Sequence, residues 1–326
     1  MQVTEVLPDS VKTKVIRGTE SWSRRGFNLP DKVVDTSVLT EKERADLEYA
    51  LPKNPDWVAV SFVQRPEDIA EVRDFITAHT ARPVKIMAKI ERKTAVEQID
   101  EIARAADGIM IARGDMAVEL PFEQVPAISR HIIRECRRLN RPVVMATQML
   151  GSMVESEFPT RAEISDVANA AYLRVDSTMT SEETTIGANP LNVIETMAKI
   201  LSYSDDDAMA NPSDWVRAES SAEDNDWSRS VSSMAYLNKA SAIIVFARDT
   251  ESVIKISCRR PDTKVIAVCD GEIVANQLCL VRGVFPVYTP DLFAQRDFVA
   301  VAHDANIMHG NIVIVDGENV SLQNLD

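Results

Sequence analysis

The chain has 326 residues, 45% of them hydrophobic and 26% charged, with 36 Lys and Arg against 50 Asp and Glu for a formal charge of −14. That length is a prior for about two domains with a sizeable core. The acidic balance argues against a general nucleic-acid binder, which needs a basic footprint over phosphates, but leaves room for a local basic pocket around a small anion. No apolar run approaches the roughly 18 residues of a membrane helix. The first residues, with Glu5 and Asp9, lack the apolar stretch of a signal peptide. The expectation is therefore a cytoplasmic protein that uses neither membrane nor nucleic acid. Cysteines 136, 258, 269 and 279 form no CxxC pair and no zinc spacing, and read as buried reduced thiols.

Residues 1–27 form a polar, β-flavoured lead-in, with strand character at 1–6 and 11–17. Predicted strands at 57–63, 84–90, 108–112, 142–146 and, weakly, 176–180 then alternate with helical patterns at 66–79, 94–106, 122–140, 161–172 and 190–201. Glu67 and Asp68 open the first of these helices, where the helix dipole favours acids. Such alternation marks βα units around a parallel sheet. Residues 202–226 crowd Asp205, Asp206, Asp207, Asp214, Glu219, Glu223, Asp224 and Asp226 around Asn211-Pro212, as a solvated linker does. The βα pattern then resumes, with helices at 228–239, 250–258, 272–280 and 292–308 and strands at 242–246, 264–268, 284–288 and 312–315, as a separate, smaller α/β domain.

No GxxxxGK[ST], GxGxxG or GxSxG motif occurs, so the candidates for chemistry are positional. Lys89 and Glu91 stand two apart at the end of the second βα strand and share one face, because strand side chains alternate. In parallel βα architectures that end is where active sites form. The pair is either functional or a simple ion pair. The next strand ends Ala112-Arg113-Gly114-Asp115, which is either a surface turn or a carboxylate that holds a divalent cation together with Glu91. The fourth ends Ala146-Thr147-Gln148, adding a hydroxyl to the same rim.

These segments resemble the pyruvate kinase family. The resemblance is carried by Ile86-Met87-Ala88-Lys89-Ile90-Glu91, Gly26-Phe27-Asn28-Leu29-Pro30, Ser61-Phe62-Val63, residues 107–115, Ala146-Thr147-Gln148-Met149-Leu150, Pro159-Thr160-Arg161-Ala162-Glu163 and Arg282-Gly283-Val284-Phe285-Pro286; Ser23-Arg24-Arg25 matches more loosely. It implies an α/β protein with a TIM-type (β/α)8 barrel and a C-terminal α/β domain, assembled as a homo-oligomer. The implied reaction is phosphoryl transfer between phosphoenolpyruvate and ADP, giving pyruvate and ATP, with Mg²⁺ (or Mn²⁺) and K⁺ as cofactors. By the same resemblance Lys89 neutralises the phosphoryl group in flight, and Glu91 and Asp115 hold Mg²⁺. The Gly114 and Asp115 backbone meets the substrate carboxylate, Thr147 sits by the enolate or the carboxylate, and Arg25, Ser181 and Glu183 lie near the nucleotide.

The expected layout is a remnant of an inserted β-domain over 1–24, a partial barrel of about five of eight βα units over 25–203, an acidic linker over 204–228 and the C-terminal domain over 229–326. The family's first three barrel strands have no counterpart. With them go a substrate-binding arginine, the potassium ligands and part of the nucleotide contacts, and the first and fifth strands are left as open edges. The family's Leu-Ser-Gly-Glu-Thr loop reads Thr180-Ser181-Glu182-Glu183-Thr184, and its Asp-Gly before the fifth strand reads Leu173-Arg174. Its phosphate loop in the C-terminal domain reads Ala247-Arg248-Asp249-Thr250-Glu251-Ser252, where two acids disfavour a sugar-phosphate effector. These departures set a second expectation beside the first: a non-catalytic family member that acts as a binding or assembly module.

Overall fold

A computed structural model describes residues 1–16, 18, 37–210 and 227–326. The chain divides into two compact units, Met1–Lys32 and Val33–Asp326. In the first, β1 (Gln2–Val6) and β2 (Val11–Lys14) pair as an antiparallel hairpin.

The second unit begins with α1 (Glu41–Ala50), which the sequence reading had not assigned. Its signal was present: Thr40 and Glu43 form a reciprocal capping box, with the Glu43 carboxylate accepting from the Thr40 amide. Next come β3 (Trp57–Val60), α2 (Pro66–His79), β4 (Lys85–Ile90), α3 (Lys93–Glu97) and α4 (Ile99–Ala105). Strand β5 (Gly108–Ala112) leads into α5 (Arg113–Glu119) and α6 (Val125–Arg138). Strand β6 (Val143–Ala146), α7 (Arg161–Tyr172), β7 (Ser177–Thr178), α8 (Glu182–Thr185) and α9 (Pro190–Ala210) complete the series. The five strands form one parallel sheet in the order β3-β4-β5-β6-β7, so among the described residues β3 and β7 are its edges. This is the partial TIM-type barrel expected from the sequence.

Alternation sorts the strand residues into two layers. Ile86, Ala88, Ile90, Ile109, Ile111, Val143 and Met145 join the large core under the helices. Met87, Met110, Val144 and Ala146 form a smaller cluster on the other face, with Trp57, Met179 and Leu280 packed against it. Strands covered on both faces read as continuous apolar runs, which is why they were visible in the sequence.

Several boundaries moved. The first βα strand stops at Val60 because Phe62 takes a left-handed backbone, φ 58°. The 94–106 helix breaks at Gln98, whose side-chain amide donates to Gln64 O at 3.1 Å. The fifth strand shrinks to two residues. The helix expected to end at 201 runs through the first acids of the expected linker to Ala210. Those acids have partners: Asp205 pairs with Arg282, and Asp207 accepts from the Tyr172 hydroxyl at 3.2 Å.

The C-terminal α/β part contains α10 (Trp227–Leu237), β8 (Ala242–Ala247), α11 (Glu251–Cys258), β9 (Val265–Cys269), α12 (Glu272–Leu278) and β10 (Val284–Tyr288). It continues with α13 (Pro290–Gln295), α14 (Phe298–Asp304), β11 (Asn311–Asp316) and β12 (Asn319–Asn324). The helix expected over 292–308 is broken where Arg296 adopts φ 54°. Strand β12, not foreseen, returns antiparallel to β11 after Gly317, at φ 61°, an Asp-Gly hairpin signal that the sequence does carry. Cys136, Cys258 and Cys269 are buried, whereas Cys279 is exposed, contrary to the expectation of four buried thiols.

The C-terminal part grips the starts of the barrel-type strands. Arg260 forms a two-pronged ion pair with Asp176 at 2.7 and 3.0 Å, both side chains essentially inaccessible. Asp176 also accepts from the Val143 amide at 2.9 Å, at the start of β6. Ser177 donates to Leu280 O at 2.7 Å, and Trp57 Nε1 donates to Gln277 O at 3.2 Å, so both edge strands are held from below.

Candidate functional site

At the opposite, C-terminal ends of the strands, the structure brings Lys89 and Glu91 together as their alternation predicts. Lys89 Nζ lies 2.7 Å from Glu91 Oε1 and donates to Ser61 Oγ, also at 2.7 Å. Glu91 is 1% exposed. Its other oxygen accepts from the Phe62 amide at 2.8 Å, which the left-handed turn after β3 aims at it. A buried carboxylate persists when a cation and hydrogen bonds replace its water. Sequence reasoning noted Ser61-Phe62 only as part of a resemblance; its role here depends on a turn geometry that spacing does not display.

On the next two strands, Thr147 follows β6 with φ 69° and Gln148 with φ 53°. A β-branched residue in that region is strained by an amount on the order of 1–3 kcal/mol and needs surrounding support. The Thr147 hydroxyl accepts from the Gly114 amide at 2.8 Å and donates to Ala146 O at 2.7 Å. Behind the turn, Arg113 donates to Thr147 O at 2.7 Å and pairs with Asp166 of α7 at 2.6 Å. Arg113, not singled out from the sequence, thus ties the ends of β5 and β6 to a helix.

Asp115 is partly buried in the first turn of α5 and has no hydrogen-bond or ion-pair partner among the described residues. No group of three or more His, Cys, Asp or Glu able to hold a metal occurs among the described residues. The donor set still suits Mg²⁺, which takes one or two carboxylates and completes its octahedron with water and substrate oxygens. Glu91 and the unpartnered Asp115, at the ends of paired strands β4 and β5, supply that number.

The nucleotide-side candidates divide. Ser181 follows β7 at the same rim. Glu183 is 2% exposed, and its carboxylate accepts from the Ser181 amide at 2.6 Å and the Leu150 amide at 3.3 Å, which braces the rim loop. Gly187 closes that loop so tightly that a Cβ would stand 2.1 Å from Glu183 O. Glu182 is exposed. Arg25 lies outside the described residues. The Pro159–Glu163 segment proves architectural: Thr160 and Glu163 cap α7, and Glu163 also accepts from the Ser152 amide at 2.7 Å. Burial raises the affinity of Glu163 for its proton, but the Ser152 and Thr160 donors outweigh this and hold its carboxyl below the usual range.

An open parallel βα sheet with lysine, carboxylates and threonine at its strand ends, followed by a second α/β part, defines the class. The family models for pyruvate kinase match here, the barrel domain over residues 1–194 and the alpha/beta domain over residues 225–324. The chain belongs to the pyruvate kinase family. It is 40% identical over 295 residues to a pyruvate kinase of Methylorubrum extorquens, covering 89% of this chain and 60% of that protein. To one of Geobacillus stearothermophilus it is 36% identical over 313 residues, covering 94% and 53%. It aligns with the crystal structure of a pyruvate kinase from Cryptosporidium parvum at a TM-score of 0.83 and 30% identity, over 92% of this chain and 64% of the other. The chain therefore spans somewhat more than half the length of these curated relatives.

Proposed function

We propose that this chain serves phosphoryl transfer between phosphoenolpyruvate and ADP. The observation that carries the reading is the Lys89–Glu91–Ser61 cluster at the end of β4, with the Thr147 hydroxyl held by the Gly114 amide on the neighbouring strands. In the reaction the bond from phosphorus to the enol oxygen breaks and one to the ADP β-phosphate oxygen forms, and the enolate left behind takes a proton at carbon to give pyruvate. Such transfer is mostly positioning and charge neutralisation. The Lys89 ammonium faces the moving phosphoryl oxygens. The Gly114 and Asp115 backbone receives the substrate carboxylate, and Thr147 stands beside the enolate oxygen. Ser181 and Arg25 are assigned to the nucleotide side. Glu91 and Asp115 would hold Mg²⁺, which when bound supplies Lewis-acid stabilisation of phosphate and enolate oxygens.

The reading extends to self-association, supported by exposed Phe158, Ile186, Leu191 and Ile194 on and around α9; light scattering showing a monomer at all concentrations refutes that extension. The central test is Mn²⁺ relaxation together with a coupled pyruvate assay, on the chain and on its Glu91→Gln/Asp115→Asn variant. Metal binding that is identical in both removes the reading. Metal binding lost in the variant, with no turnover in either protein, favours the non-catalytic module instead.

A further inference from the structure

The turn that follows β3 holds both members of the Lys89–Glu91 pair. Ser61 Oγ accepts from Lys89 Nζ at 2.7 Å, and the next residue, Phe62, donates its amide to Glu91 Oε2 at 2.8 Å. Phe62 makes that bond from φ 58°, in the left-handed region. Bulky side chains are disfavoured there, so the surroundings must hold this one in place. Downstream the chain is fixed: Val63 is fully buried, the Asp68 carboxylate accepts from the Gln64 amide at 2.7 Å, and the Gln98 side chain donates to Gln64 O at 3.1 Å. Those contacts anchor residues 63 and 64 but not the Phe62 ring, which is 47% exposed.

Arg92 is the residue that meets this ring. Its guanidinium carbon lies 5.3 Å from the ring centroid, within the range of a cation–π contact. Among the described residues Arg92 forms no ion pair, and its Nε is buried without a hydrogen-bond partner. In a chain with 50 acids against 36 Lys and Arg, this guanidinium is matched to a ring and not to a carboxylate. Glu91 and Arg92 are consecutive, between the end of β4 and the start of α3, so they grip residue 62 together, one through its amide and the other through its ring. We propose that Arg92 is a positioning residue for the site: stacked on Phe62, it latches the left-handed turn and so keeps the Phe62 amide on Glu91 and Ser61 on Lys89. The assignment rests on the phosphoryl-transfer reading above and deepens it by naming what fixes the direction of the Glu91 carboxylate. With Oε1 at Lys89 and Oε2 at the Phe62 amide, that carboxylate is held in one orientation. Reacting groups held by locked neighbours of this kind need no rearrangement when a ligand arrives.

The test uses the whole chain with its nine phenylalanines labelled with nitrogen-15. The Phe62 amide resonance is assigned by its disappearance in Phe62→Leu and its shift in Glu91→Gln. The parent is then compared with Arg92→Leu, which keeps an apolar contact without the charge, and Arg92→Lys, which keeps the charge. The expected result is a Phe62 amide that lies downfield in the parent, as for a bond to a carboxylate, moves upfield in Arg92→Leu and stays near its parent position in Arg92→Lys. Mn²⁺ binding, followed by relaxation, should weaken about three- to tenfold in Arg92→Leu and recover in Arg92→Lys, the scale of a partly exposed cation–π contact. In the coupled assay kcat should fall by a similar factor with KM for ADP unchanged. A Phe62 amide that does not move in Arg92→Leu, or that moves equally in Arg92→Lys, overturns the proposal. The expected amide shifts without turnover in any of the proteins refute the catalytic reading alone and still support the latch.

Discussion

The two ends of the five-stranded sheet are built on opposite principles. At the base, Asp176 and Arg260 are sealed from water and mutually saturated, with the Val143 amide and Ser257 O taking further bonds. Nearby, Asp107 shows the same logic: burial raises its proton affinity, but the Ile86 amide, Lys85 and Arg73 together hold its carboxyl below the usual range. At the rim, Lys89 is 23% exposed, Asp115 has no partner among the described residues, and Thr147 is held in a strained turn. Groups whose bonding is complete fasten strands together. Groups left incomplete are available to a ligand, and the strained Thr147 turn is held by Gly114 and Arg113 beside it.

The largest effect that would break this contrast is at the base. Arg260→Met strands a buried carboxylate and should cost about 3–5 kcal/mol in denaturant unfolding, with Arg260→Met/Asp176→Leu recovering a large part. An equal loss in the double variant would mean that the pair contributes net stability of its own. At the rim, Lys89→Met should lower turnover in the coupled assay by roughly 10²–10³-fold, about 2.7–4 kcal/mol of barrier. It should destabilise less than Arg260→Met, because Glu91 keeps the Phe62 amide.

Smaller is the alkaline response. Burial pushes the thiols of Cys258 and Cys269 up to about 12 from an ordinary 9.0. Above pH 9 the unfolded chain loses these protons while the folded chain keeps them. Stability therefore falls as pH rises from 9 towards 12, by up to about 1.4 kcal/mol per pH unit for each thiol. Cys258→Ala should flatten this slope relative to the parent in pH-dependent melts, and an unchanged slope contradicts the assignment. Smallest is Glu182→Gly, which removes an exposed carboxylate from the rim and should tighten ADP binding about threefold by calorimetry, as for a solvent-screened charge. No change would place the nucleotide away from this loop.

What was legible from sequence follows from local physics. Apolar runs marked the buried strands 84–90, 108–112 and 142–146, and the two-residue spacing of Lys89 and Glu91 put both on one face; the structure agrees because strand alternation needs no tertiary information. Helix α1 and strand β12 were also written locally, in a capping box and an Asp-Gly turn, and were passed over. The rest belonged to tertiary structure. Glu183 became a brace because Leu150, 33 residues away in sequence, turns its amide towards it. The acids of α9 became helical once Arg282 and Tyr172 could reach them. Arg113 acquired its hold on Thr147 across 34 residues. The sequence alone determined most of the barrel-type strands and the shared face of Lys89 and Glu91, since those depend on neighbours two to four positions away. Which polar groups would be saturated and which left open was decided only by folding, because a charge is satisfied by whatever the chain brings within about 3 Å of it.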